Sequence, residues 1–389
     1  MLTGGNLLGS GAYGCVWIPP LVCKPGTTVA IPKNRLGSRV KKVDKLLSIK
    51  DATTEFKIAK RIHEIPEWQK HFVVADELCT PAPVSQQKEK EMGACDIVTG
   101  EDLSHLRLLR MNFAGDPLDT YEINVKSFNL RNFVTSALEG VALLILNSIV
   151  HMDLHSGNAL LDKDQMVRII DWNLAIDVLN ELNLEGRLYH SYTLRLTQES
   201  PDFLLVNARF KKLTHQDEGV PAEQKLIRDM VDQKPVMKRQ RAVLGITKAE
   251  QLKGVRAFVN SESGSTAYQH GDFEAWFKAH WQMNDSWAIG SMIVGVIAKL
   301  SLFPQYQFPP EFNGPRSVGY RVLRKLCHPN PFDRCDAVEA LAELYPTNHI
   351  IKTYAPTWLK DSKPPVQAPF IRGPVHPVPA YVSDTALLV

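Results

Sequence analysis

The sequence has no C-x-x-C pair, no internal repeat, no basic leader and no apolar run of bilayer length, and each absence removes a class of protein. Six cysteines (Cys15, Cys23, Cys79, Cys95, Cys327 and Cys335) are scattered, so they read as reduced thiols rather than a disulfide framework or a zinc site. The longest apolar stretch, WAIGSMIVGVIA at 287–298, is too short to span a membrane and fits a buried helix. The start, MLTGGNLLGSG, lacks the basic and apolar regions of a secretory signal. Charge of one sign is also missing: 45 Lys and Arg face 42 Asp and Glu, and a net +3 is too small to argue nucleic-acid binding by itself. The expectation is a soluble, cytoplasmic protein with neither a membrane nor a nucleic-acid partner.

At 389 residues the chain exceeds one ordinary core, so two lobes are expected. Residues 7–31 alternate short apolar runs with Gly and Pro, the pattern of strand, turn and strand, with a hairpin at Lys24-Pro25-Gly26. A basic, polar link covers 32–50. In DATTEFKIAKRIHEI, Phe56, Ala59, Ile62 and Ile65 recur at helical spacing, with Asp51 or Thr53 as N-cap. Segments 72–79 and 106–113 read as strands. From about 128 the chain turns helical: residues 132–150 are apolar nearly all round, and FEAWFKAHW (273–281) leads into 287–298. Residues 351–389 form a proline-punctuated tail expected to be extended or disordered.

Three stretches carry chemistry. GSGAYGCV, with Gly9, Ser10, Gly11, Ala12, Tyr13, Gly14 and Val16, fits G-x-G-x-x-G-x-V, in which glycines let backbone N–H groups approach phosphates. A glycine-rich hairpin with no ligand satisfies the same pattern; a strand rather than a helix following it excludes a dinucleotide fingerprint. VAIPK then offers Lys33 to neutralise phosphates, with Glu55 on the next helix to hold it; Lys24 lies too near the turn. Pro32 would require a bulge beside Lys33. Finally, HMDLHSGNALLDKDQMVRIIDWN places Asp153, Asn158 and Asp171 beside two short strands, 159–162 and 167–170. Carboxylates so close to a core need partners or a metal.

His151-x-Asp153 with Asn158, followed by Asp171-Trp172-Asn173, resembles the catalytic loop and metal motif of protein kinases. Further motifs follow in the family's order. Asp285-Ser286-Trp287-Ala288-Ile289-Gly290 resembles the D-x-W-x-x-G helix, whose Asp bonds back to the catalytic loop. Ser200-Pro201-Asp202 resembles A-P-E, and Arg334 the late arginine that pairs with its acid. Within the family, GSGAYGCVWIPPLVCK, EFKIAKRI, Phe72 to Cys79, MNFAGDPL and HPNPFDR resemble divergent serine/threonine kinases of large nucleocytoplasmic DNA viruses.

The resemblance implies an α+β bilobal fold: a small, mainly β N-lobe (1–112) and a larger, mainly helical C-lobe (113–350) with an insertion at 204–270. It also implies ATP and Mg²⁺ as cofactors and a protein substrate, in the host cytoplasm or virion if the chain is viral. Asp153 would be the catalytic base. Lys33 and His155 would assist on the phosphates, and Asn158 and Asp171 would hold Mg²⁺. Met111 would be the gatekeeper, with Asn112 and Phe113 bonding adenine.

Several positions depart from the family. Met152 replaces an arginine that reads a phosphorylated activation loop, so activity without that switch is expected. His155 replaces a lysine, as in small-molecule phosphotransferases, with a charge that depends on pH near neutrality. Asn173 replaces a glycine and is expected to take the left-handed turn. Trp172 should pack under the helix of Glu55. KPVMKRQR (234–241) reads as a solvated basic face rather than a docking site for an acidic partner or nucleic acid. The rivals are a small-molecule phosphotransferase and a kinase-shaped pseudoenzyme or virion binding protein.

Overall fold

The computed structural model describes residues 6–11, 14–32, 41–87, 92–180, 193–214 and 221–360. Seven strands open the chain: β1 (Asn6–Gly11), β2 (Gly14–Ile18), β3 (Val29–Ala30), β4 (Lys42–Ser48), β5 (Glu77–Cys79), β6 (Leu106–Asn112) and β7 (Asp116–Pro117). The first six form one antiparallel sheet in the order β1-β2-β4-β6-β5-β3. Helix α1 (Ile49–His63) follows β4 directly. Its N-cap is Ser48, whose hydroxyl oxygen accepts the Asp51 N–H at 3.1 Å, so the helix begins ahead of the expected Asp51 or Thr53 cap.

The sheet buries both faces. Leu47 and Met111 join the main core with Phe56, Ala59 and Ile62 of α1. Leu46, Leu106 and Leu108 pack on the other face with Cys15, Trp17, Cys79 and Cys95. There the expectation of reduced thiols fails, because Cys15 is bonded to Cys95 and Cys23 to Cys79. The partners lie 80 and 56 residues apart, a separation that spacing rules cannot pair. Cys327 and Cys335 are free.

Strand β4 is the main departure from the sequence reading. KVDKLLS lies within the stretch expected to be a basic link, yet it is a central strand between β2 and β6. Its charges are buried in pairs. Arg110 of β6 donates to both Asp44 carboxylate oxygens at 2.9 Å. Lys42 pairs with Asp76. Paired charges of this kind disguise a buried strand as a polar one.

The remaining chain is mainly helical. Helix α2 (Leu130–Leu146) is buried almost all round, as its composition predicts. Strands β8 (Ile149–Val150), β9 (Ala159–Leu161), β10 (Val167–Ile169) and β11 (Ile176–Asp177) frame two loops. Pairing of β10 with β9, and of β11 with β8, turns those loops towards each other. Next come α3 (Pro201–Thr214), α4 (Glu223–Gln233), α5 (Pro235–Leu244), α6 (Lys248–Asn260) and α7 (Glu262–His270). The two expected helices beyond them are one, α8 (Phe273–Leu300). Helices α9 (Val318–Leu326), α10 (Ala337–Leu344), α11 (His349–Tyr354) and α12 (Pro356–Lys360) complete the description. The last two lie where an extended tail was expected, and they are anchored by buried Ile350, Ile351 and Trp358. Residues 361–389 lie outside the described residues. No described helix is long and apolar enough to cross a membrane.

Candidate active site

Lys45 of β4 stands at the centre of the site. Its ammonium donates to Glu55 of α1 and to Asp171, both at 2.8 Å. The sequence assigned this role to Lys33, which lies outside the described residues; the bonded cation is Lys45. Register explains the placement: Lys45 faces Val16 of β2 on one side and Leu109 of β6 on the other, directly beneath the glycine-rich hairpin. The run Val43-Asp44-Lys45-Leu46-Leu47, with a lysine among apolar residues and ten residues ahead of Glu55, is the signal that could have found it, although Asp44 masks it.

The three charges shape one another. Burial pushes the Glu55 carboxyl up, and the nearby ammonium only partly offsets it. At Asp171 burial also acts upward, but Lys45 prevails and holds the group below the usual carboxylate range. Burial would depress Lys45, yet Glu55 and Asp171 together raise it. Fully buried Trp172 takes its place beneath α1. Its backbone N–H bonds to Glu55, its indole N–H donates to the Val73 carbonyl at 2.9 Å, and its ring meets Phe72 edge-on.

The glycines divide their roles. A Cβ on Gly14 would come within 2.0 Å of the Leu46 carbonyl oxygen, so Gly14 allows β2 to lie against β4. Around Gly9 nothing lies within 4 Å of such an atom, so the space there is open. Ser10 and Gly11 end β1 and Val16 lies in β2; Ala12 and Tyr13 lie outside the described residues. At the far edge Met111 is buried beside Val43, and Asn112 pairs with Lys42. The Phe113 N–H donates to the Lys41 carbonyl at 2.9 Å, so that donor, expected for adenine, is already committed.

The second loop follows β8. Asp285 of α8 accepts the His151 N–H at 2.5 Å and the Met152 N–H at 3.1 Å, pinning a backbone that turns left-handed at Met152 (φ 66°). The His151 ring accepts the Asp153 N–H at 3.3 Å through Nδ1, so Nε2 carries the proton and donates to the Ile170 carbonyl at 2.8 Å. Asn158 donates to the Asp153 carbonyl at 2.9 Å and to its carboxylate at 3.3 Å. The Ile170 N–H in turn donates to the Asn158 carbonyl at 3.0 Å. These bonds set Asp153, Asn158 and Asp171 side by side. The left-handed residue of the second turn is Asp171 (φ 65°), not Asn173 as expected; Asp is among the few non-glycine residues that tolerate it.

His155 accepts the Gly157 N–H at 3.0 Å through Nδ1, which places the proton of the neutral ring on Nε2, 3.7 Å from an Asp153 oxygen. Gln198 was missed by the sequence reading; its amide donates to the other Asp153 oxygen at 2.7 Å. Below the site, Arg334 donates to Asp202 at 2.7 Å with both side chains fully buried, and the Trp276 indole donates to the same carboxylate at 3.0 Å. The basic run 234–241 is not a solvated face throughout. Lys234 is fully buried, and Arg241 donates to the Val231 carbonyl at 2.7 Å and to Gln251 at 2.6 Å.

Oxygen donors from Asn158 and Asp171, adjoining a lysine–glutamate pair under a glycine hairpin, suit a hard cation and a polyphosphate. No curated protein matches the chain. The family model described as protein kinase domain matches residues 2–204, just over half of the 389 residues, and the chain belongs to the protein kinase domain family.

Proposed function

We propose that this kinase transfers the γ-phosphate of ATP to serine or threonine of protein substrates. The observation that carries the reading is the bonding of Lys45 to both Glu55 and Asp171, beside the Asp153–Asn158 pair. Glu55 holds the Lys45 ammonium where it can neutralise phosphate oxygens. Asp153 accepts the proton of the attacking hydroxyl, and Asn158 and Gln198 fix the direction of its carboxylate. His155 offers its Nε2–H to a phosphoryl oxygen. Asn158 and Asp171 would hold Mg²⁺, which when bound supplies positive charge to the phosphates. Lobes divided at 112/113, with adenine between them, belong to this reading.

The D-L-H-S-G-N run and His155 favour a small-molecule acceptor as the second reading. Against it stand the Asp285 anchor and the Asp202–Arg334 pair, which brace a lobe fitted to a protein substrate. The pseudoenzyme reading meets an intact set of charged groups. The likeness to viral kinases adds a setting: of host cytoplasm and virion, two disulfides favour the more oxidising virion.

The test is labelled ATP with Mg²⁺, with and without a generic protein substrate, beside Asp171→Asn and Asp153→Asn. Phosphoserine or phosphothreonine should appear and vanish in both variants, with ATP binding kept in Asp153→Asn. Transfer only to a small-molecule acceptor would replace this reading with the second, and no transfer with intact ATP binding would make the chain a pseudoenzyme.

A further inference from the structure

Beyond the matched region, the junction of α4 and α5 reaches the segment that precedes α3. Lys234, at the junction of α4 and α5, is fully buried, and its ammonium donates to the Leu196 carbonyl at 2.6 Å. Residues 196–202 are then held by a succession of bonds. The Trp287 indole donates to the Thr197 carbonyl at 3.3 Å, Gln198 reaches Asp153, and Asp202 is paired with Arg334. In each of these bonds the partner is a side chain fixed by the fold, and none needs a phosphate.

Further bonds tie the junction to its neighbours. Arg241 ties α5 to α4 through the Val231 carbonyl and to α6 through Gln251. Gln240 donates to Ser291 of α8 at 3.2 Å, the same helix whose Asp285 pins the catalytic loop. Burying an ammonium is costly without compensation. Here burial depresses the lysine to about 8 even though Glu199 pulls it upward. A methionine would fill the slot at less expense, so the cation is retained for what it holds. At the position from which an arginine would reach a phosphorylated loop, Met152 is buried against Asn284 instead.

We infer that the inserted helices act as a built-in clamp: Lys234 fixes the segment at Leu196, which delivers Gln198 to Asp153, so that the catalytic carboxylate is oriented without phosphorylation of the activation segment. Lys234 and Gln198 are positioning residues, and the inference rests on Asp153 being the catalytic base. No partner protein or second phosphorylating enzyme is required to order residues 196–202.

The experiment uses the full chain in the labelled-ATP assay. Wild type stripped of phosphate, verified by mass spectrometry, should keep kcat within about twofold. Gln198→Ala removes a hydrogen bond to a charged group and should lower kcat about 10- to 100-fold, with ATP affinity within about twofold. Lys234→Met keeps the apolar stem and should lower kcat about tenfold. The double variant should be no worse than Gln198→Ala by more than about twofold, since the lysine acts through the glutamine. Additive losses, unchanged or raised turnover in Gln198→Ala, dependence on phosphate, or loss of cooperative melting in Lys234→Met would each overturn the clamp. An inactive Asp153→Asn beside a fully active Gln198→Ala removes the clamp alone, whereas an active Asp153→Asn removes the reading on which it stands.

Discussion

Replacing Lys45 with methionine separates the two candidate lysines. The ammonium lies 2.8 Å from both Glu55 and Asp171, and Glu55 is fully buried. Without the cation, Glu55 escapes an unpaired buried charge by taking a proton. Its ordinary value of 4.5 is 2.5 units below pH 7, so that protonation costs at most about 3.4 kcal/mol. Burial already raises this group, which lowers the cost further, and desolvation of Lys45 itself is relieved. The net loss is about 1–3 kcal/mol, within an ordinary stability of about 5–15 kcal/mol, and the variant stays folded. Activity behaves differently. A lysine about 4 Å from a phosphate oxygen contributes about 4 kcal/mol at an effective dielectric of about 20, or roughly 10³-fold in kcat/KM. Steady-state transfer from labelled ATP, read beside a thermal melt, should therefore show Lys45→Met nearly inactive but folded and Lys33→Met within about twofold of wild type. The reverse ranking would refute the assignment.

Three further outcomes follow from the packing. Protein denatured without reductant should titrate two thiols, Cys327 and Cys335, and all six after reduction; six in both conditions would remove the disulfides. In the chain-entropy model each bridge stabilises by on the order of 4 kcal/mol, so reductant should lower the melting temperature. His71 is buried, and burial pushes its ring down to about 4 from 6.5. The unfolded chain therefore binds the extra proton first, and stability falls as pH drops from 6.5 towards 4; by pH 5 the loss is about 2 kcal/mol. Urea unfolding at pH 7.5 and 5 should show that increment in wild type and not in His71→Gln; equal slopes would contradict it. Arg334→Met should cost roughly 3–5 kcal/mol in urea unfolding by stranding buried Asp202, and a loss under about 1 kcal/mol would show that the pair is not integral.

The sequence by itself determined what is local. The periodicity of α1 and α2, the glycine hairpin and the spacing of Asp153, Asn158 and Asp171 are written in consecutive residues, because helix faces and tight loops depend on neighbours in the chain. The motifs Asp285 and Asp202–Arg334 were legible through their order and residue types, and each sits at the contact the motif implies. Other features depend on groups far apart in the sequence. Lys45 was missed because Asp44, paired with Arg110, and Lys45, paired with Glu55 and Asp171, gave a central strand the composition of a linker. The disulfides join positions 80 and 56 residues apart that meet only when the sheet and its connections fold. Gln198 carried no motif and Lys234 opened a run read as a solvated basic face, and their importance lies in their partners, the Asp153 carboxylate and the Leu196 carbonyl. Residue type and spacing thus set the chemistry available, whereas burial decided which of several similar charges would be paired, since only a packed core makes an unpaired charge expensive enough to choose between them.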